Sequence, residues 1–161
     1  MMENRFFKRN KINILNFILM GICVCFSIYF LMIEPVEFSN RNSIIFYSFG
    51  LYFFTIGFNY VALRNFDVWL LWFGFSLVQI VIYYKHGLNN ADWPAMRGLR
   101  NFWIFLIAFQ ILRWVSLNFQ NKEFVTLTRS KWDPLDNRRF TRLDMLLYGP
   151  AIFLIFILQI I

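Results

Sequence analysis

The sequence predicts an all-α, polytopic integral membrane protein with five transmembrane helices and no soluble domain. Three observations predict it. The 161-residue chain is 59% hydrophobic and only 16% charged, with a mean hydropathy of +0.52, whereas soluble domains are about half apolar and about a quarter charged. Its 22 phenylalanines help raise the aromatic content to 22%, more apolar surface than so small a globule can hide from water. The apolar residues also gather into five stretches, 12–33, 43–63, 66–84, 99–117 and 145–161, each within the ~17–25 residues that a membrane-crossing helix needs.

The first span follows a basic flank of Arg5, Lys8, Arg9 and Lys11. Its apolar run is too long for the core of a cleaved signal peptide and ends in Phe30-Leu31-Met32-Ile33 without a small-residue cleavage site, so a retained signal anchor is expected. Cys23 and Cys25 lie two apart on a helix, point to nearly opposite sides and cannot bond each other. A weak polar stripe runs through Asn16, Met20, Cys23 and Ser27.

The second and third spans carry clearer stripes. Ser48, Tyr52, Thr55 and Asn59 share one face of the second, and Trp72, Ser76, Gln79 and Tyr83 one face of the third. The short connection Arg64-Asn65-Phe66-Asp67 makes these spans antiparallel. Equal depth then pairs Asn59 with Trp72, Thr55 with Ser76, Tyr52 with Gln79 and Ser48 with Tyr83, a polar seam that would fix the register. Gly50 and Gly57 lie opposite that stripe, where small residues admit another helix. The second span is therefore expected at the centre, with the third on one side and the first on the other. His86, in the polar run Lys85-His86-Gly87, is read as a loop residue.

The fourth span opens with Asp92 as N-cap and Trp93-Pro94 in the first turn. Arg97, Arg100 and Asn101 then share one face, at the helix end where cations oppose the macrodipole. An anion is expected to compensate: Glu34 or Glu37, the phosphate of a lipid headgroup, or a substrate anion. Arg113 is the one ionisable group well inside a span. Either its head snorkels to the interface, or it forms a buried ion pair, with Asp67 the first-choice partner and Asp144 the second.

Residues 118–144 form a basic inner-face loop with Lys122, Arg129, Lys131, Arg138, Arg139 and Arg142, too short to bury a core. Asp133-Pro134 and Asp136-Asn137 are turn signals. Thr141 and Asp144 have the spacing of a capping box, so a helix starts there and takes Pro150 into its interior. The fifth span is then a kinked helix from Arg142 to Ile161; the alternative is four spans plus a partial fifth.

The net charge of +7 flanks the spans as orientation signals do, and nucleic-acid binding is excluded. Eleven Lys and Arg fall on the side of the N-terminus against four on the other, which puts the N-terminus inside. The host is a bacterial cytoplasmic (inner) membrane or an organellar inner membrane. No HExxH, GxSxG, CxxC, Walker or GxGxxG spacing occurs, and a lone histidine cannot build a multi-histidine metal site. No catalytic residue, cofactor or metal is therefore expected. The expected function is a small non-catalytic membrane subunit, or an assembly partner of a larger membrane complex. Its partners would be other integral membrane subunits and membrane lipids, with anionic headgroups at Arg97, Arg100 and Asn101. The alternative is a stand-alone small transporter or lipid-handling membrane protein.

Overall fold

The computed structural model describes residues 14–32, 41–57, 59–87, 94–125 and 141–161. Among them it is all-helical: α1 (Ile14–Met32), α2 (Arg41–Gly57), a 3-10 turn (Ala62–Arg64), α3 (Phe66–Gly87), α4 (Pro94–Gln120) and α5 (Arg142–Ile160). Helices α3, α4 and α5 are long and apolar enough to cross a membrane, whereas α1 and α2 are shorter apolar helices. Asp92, Glu34 and Glu37, and the turn signals within 126–140, lie outside the described residues.

Helix boundaries follow local chemistry. The second stretch stops short of its apolar run because α2 closes after Gly57. The Asn59 amide donates to Phe54 O at 3.3 Å, a six-residue closure typical of helix C-termini, and the Leu63 amide then donates to Asn59 O at 3.0 Å. Helix α3 starts where Asn65 Oδ1 accepts from the Asp67 amide at 3.1 Å. The capping box of α5 is formed as its spacing predicts: the Asp144 amide donates to Thr141 Oγ1 and the Thr141 amide to Asp144 Oδ2. The helix then runs unbroken through Pro150 to Ile160.

Helix α4, not α2, is the central element. It packs on α2, α3 and α5, while α1 packs on α3. Residues Met96, Leu99, Phe102, Phe105, Leu106 and Phe109 are buried at helical spacing and give α4 a continuous apolar face. The glycine that matters is accordingly elsewhere. Nothing stands within 4 Å of where a Cβ would lie on Gly50, whereas a Cβ on Gly98 of α4 would overlap the Gln159 amide of α5. Gly98 is thus the close-approach residue of the bundle.

The chain alternates direction. The start of α4 meets the end of α5 at one end of the bundle, and the ends of α1 and α3 meet each other, which makes those two parallel. This is called the Arg97 end. The 3-10 turn, the end of α4 and the start of α5 form the opposite, Arg113 end.

Candidate functional site

The densest cluster of buried polar groups is at the Arg113 end. Helix α4 ends at Gln120, and Asn121 takes the left-handed conformation at φ 53°, with its amide on Leu117 O at 3.0 Å. Asparagine tolerates that conformation better than most residues, and it turns the chain back on itself. Ser116 Oγ donates to Lys122 O at 2.9 Å and holds the return. Phe124 and Val125 are thereby buried, with the Phe124 ring 6.1 Å from Phe109.

This reversal delivers Glu123 to Arg113. Arg113, only 1% exposed, donates from Nε to Glu123 Oε2 at 2.7 Å and from Nη2 to Oε1 at 2.8 Å. This is a two-bonded guanidinium–carboxylate fork. Nη1 also points to Gln110 Oε1 at 3.4 Å, and Gln110 Nε2 donates to Leu63 O at 3.1 Å. Arg64 is buried too: its Nη2 donates to Phe124 O at 2.6 Å and its guanidinium lies 5.4 Å from the Tyr60 ring centroid. Sequence reading looked to Asp67 and Asp144 for the carboxylate on Arg113 and did not consider Glu123, which the structure places there. The physical reason is the reversal at Asn121, which lifts Glu123 out of the presumed surface loop and beside a residue ten positions earlier.

Asp144 is engaged otherwise. Beyond its capping role it accepts from Gln120 Nε2 at 3.0 Å, while Thr141 Oγ1 lies 2.9 Å from Gln120 Oε1. The end of α4 is thus fastened directly to the start of α5. The hydroxyls of Ser116 and Thr141 are committed to these contacts, and the cluster as built clamps four elements together. Among the described residues no group of three or more His, Cys, Asp or Glu could hold a metal ion.

The expected seam is buried but paired differently. Ser48, Tyr52, Thr55, Asn59, Trp72, Ser76 and Gln79 are all fully or almost fully buried, and Tyr83 is half-buried. No hydrogen bond joins the two stripes to each other among the described residues. Ser48 donates to Gln159 Oε1 of α5 at 3.3 Å, and Tyr52 OH donates to Gly98 O of α4 at 2.6 Å. The Tyr52 ring meets Phe102 and Phe105 edge to face. Thr55 and Ser76 bond back to their own helices, at Leu51 O and Phe73 O. Gln79 donates to Ser27 of α1 at 3.0 Å, and Trp72 packs against Phe75 and Phe102. Both amide atoms of Asn59 are buried without a hydrogen bond among the described residues. The central placement of α4 accounts for Tyr52, whose partners Gly98, Phe102 and Phe105 all lie on that helix.

At the Arg97 end the basic residues cap helix ends. Arg97 donates to Ile160 O, Arg100 Nη2 to Ile161 O at 2.8 Å and Asn101 Nδ2 to Leu158 O at 3.1 Å. Arg100 also lies 5.3 Å from the Tyr83 ring centroid. The negative end of the α5 dipole thus supplies the compensation expected from an anion. The same device serves α1. His86 is not in a loop but buried in the last turn of α3, with Nε2 2.6 Å from Phe30 O, and Lys85 donates to Leu31 O. Sequence spacing could not find these caps, because the acceptors are main-chain atoms of distant helices. One further feature escaped it: a groove of about 680 Å³ between α1 and α2, flanked by Cys23, Tyr47 and Gly50. No family model, curated protein or solved structure matches the chain.

Proposed function

We propose that this chain is a five-span integral membrane protein acting as a non-catalytic subunit or assembly partner of a larger membrane complex. The observation that carries the reading is the partition of side chains. Large apolar residues such as Phe17, Ile18, Phe46, Leu77, Ile111 and Phe153 are more than half exposed on five different helices, a surface that water-soluble monomers avoid. Most buried polar side chains, Asn59 excepted, by contrast make ties between helices or back to their own helix. The eleven-to-four distribution of Lys and Arg puts the N-terminus and the 118–144 segment inside, with the first span a retained signal anchor.

Purification in mild detergent tests the function: stoichiometric membrane partners support it, and a lone chain carrying only lipid favours the lipid-handling alternative, which the α1–α2 groove also favours. Cysteine-accessibility labelling tests the topology. Ser130→Cys and Asn89→Cys are expected to react from opposite sides, and reaction of both from one side would refute the five-span map.

A further inference from the structure

We infer that the groove between α1 and α2 binds one acyl chain of an anionic phospholipid from the leaflet at the Arg97 end. The inference rests on the membrane reading above. The groove runs along α1 from Phe30 to Leu19 and along α2 from Ser43 to Phe54. Each stretch is twelve residues, and the eleven steps between its ends span roughly 17 Å at ~1.5 Å per residue. That is close to one leaflet's share of a ~30 Å hydrocarbon core. A partner's transmembrane helix would need contact over the whole thickness, whereas this groove begins near one end of the bundle and stops short of the other. Its volume of about 680 Å³ falls in the ~300–1,000 Å³ range of sites that enclose small ligands.

The lining suits a hydrocarbon chain. Gly50 leaves the groove open, with nothing within 4 Å of its would-be Cβ. The hydroxyl of the groove-lining Tyr47 is engaged in a hydrogen bond with Ser27. Ser27 Oγ gives its single hydrogen to Cys23 O at 2.9 Å, so the Tyr47 hydroxyl donates to Ser27 at 2.8 Å and Gln79 Nε2 to the same oxygen at 3.0 Å. In a bilayer the gain is not hydrophobic transfer, since lipid tails are as apolar as the lining. It is the dispersion contact that an unfilled groove forfeits.

Among the described residues the rim of the mouth carries a cation. Lys85 is exposed and reaches over the end of α1 to Leu31 O, one residue beyond the groove-lining Phe30. That contact uses one of its three ammonium hydrogens, and no carboxylate pairs with it among the described residues. The first turn of α2 begins at the same end. A phosphate held there would leave one chain of its lipid lying in the groove.

The test uses the full chain in vesicles containing phosphatidylglycerol with a photoreactive diazirine near the end of one acyl chain, and separately the phosphatidylcholine analogue. Resistance of the chain to an alkaline carbonate wash comes first; release by the wash would refute the membrane reading itself. In retained protein, adducts are expected to concentrate on residues 19–23 and 51–54, with a higher yield from phosphatidylglycerol. Gly50→Phe should bring the yield at those residues to background while the melting temperature holds. Lys85→Gln should equalise the two lipids without moving the adducts. Adducts spread evenly over the exposed faces of α3 and α5 in the wild-type chain would overturn the site. Oxidative crosslinking of Gly50→Cys to a second copy, or to another membrane protein, would overturn it in favour of a docked helix.

Discussion

At the Arg113 end a guanidinium that is only 1% exposed takes both oxygens of a carboxylate. At the Arg97 end, Arg97 and Arg100 are half-buried and donate to main-chain oxygens of α5, and Arg100 Nε also to the Asn101 side-chain oxygen. The contrast follows from solvation. A charge removed from water needs a whole opposite charge and satisfied hydrogens, because its desolvation costs several kcal/mol. A charge that keeps part of its hydration can be answered by the partial charge at a helix C-terminus, worth ~0.3–1 kcal/mol. The arginines at the two ends of one helix, Arg113 at one and Arg97 with Arg100 at the other, are thus answered at two levels of strength, and α4 joins them across the bundle.

Breaking the stronger end should have the largest effect. Glu123→Gln leaves the Arg113 charge buried without its carboxylate and is expected to cost ~3–5 kcal/mol of stability in detergent. The double substitution Arg113→Met with Glu123→Leu should recover most of that loss, and a thermal-denaturation cycle over the four chains reads the coupling. Additive losses would mean that Arg113 snorkels. The next effect belongs to the close approach between the two ends' shared helices. Gly98→Ala is expected to cost ~1–3 kcal/mol through overpacking against Gln159, and Gln159→Ala in the same chain should relieve it; denaturation of the three variants measures the relief. Tyr52→Phe, which removes the donor to Gly98 O, should cost ~0.6 kcal/mol and at most ~1.7. The smallest effect sharpens the comparison. Arg97→Gln or Arg100→Gln should each cost ~0.3–1 kcal/mol, an effect that melting curves should show shrinking as salt is raised. An equal loss at both ends would show that burial does not set the kind of neutralisation.

Much of the fold could be read from the sequence because helices announce themselves locally. The apolar runs, the capping box at Thr141 and Asp144, and the burial of the stripe residues from Ser48 to Gln79 all follow from spacing along one helix. Periodicity assigns a face but not the neighbour that covers it. Tyr52 was expected against Gln79, yet it meets Gly98 on α4, while Gln79 meets Ser27 on α1. The partner of Arg113 was concealed for a different reason. Glu123 lies past the apolar stretch, where it reads as part of a surface loop. The signal for its return was present in Asn121, a residue suited to a left-handed turn, followed closely by the apolar pair Phe124-Val125. The caps on α1 and α5 left no trace, since a main-chain carbonyl has no residue identity.

The direct fastening of Gln120 to Thr141 and Asp144 has a consequence for chain design. It closes a loop whose two anchors are held by their own hydrogen bonds and by the burial of Phe124 and Val125. Gln120 and Thr141 thus act as fixed posts, and lengthening a flexible connection between fixed posts costs its closure entropy. Doubling its length adds about 0.6 kcal/mol, less than the loss expected from either Glu123→Gln or Gly98→Ala. An epitope or a fluorescent domain inserted between Val125 and Thr141 is therefore expected to leave the fastening of Gln120 to Thr141 and Asp144 in place.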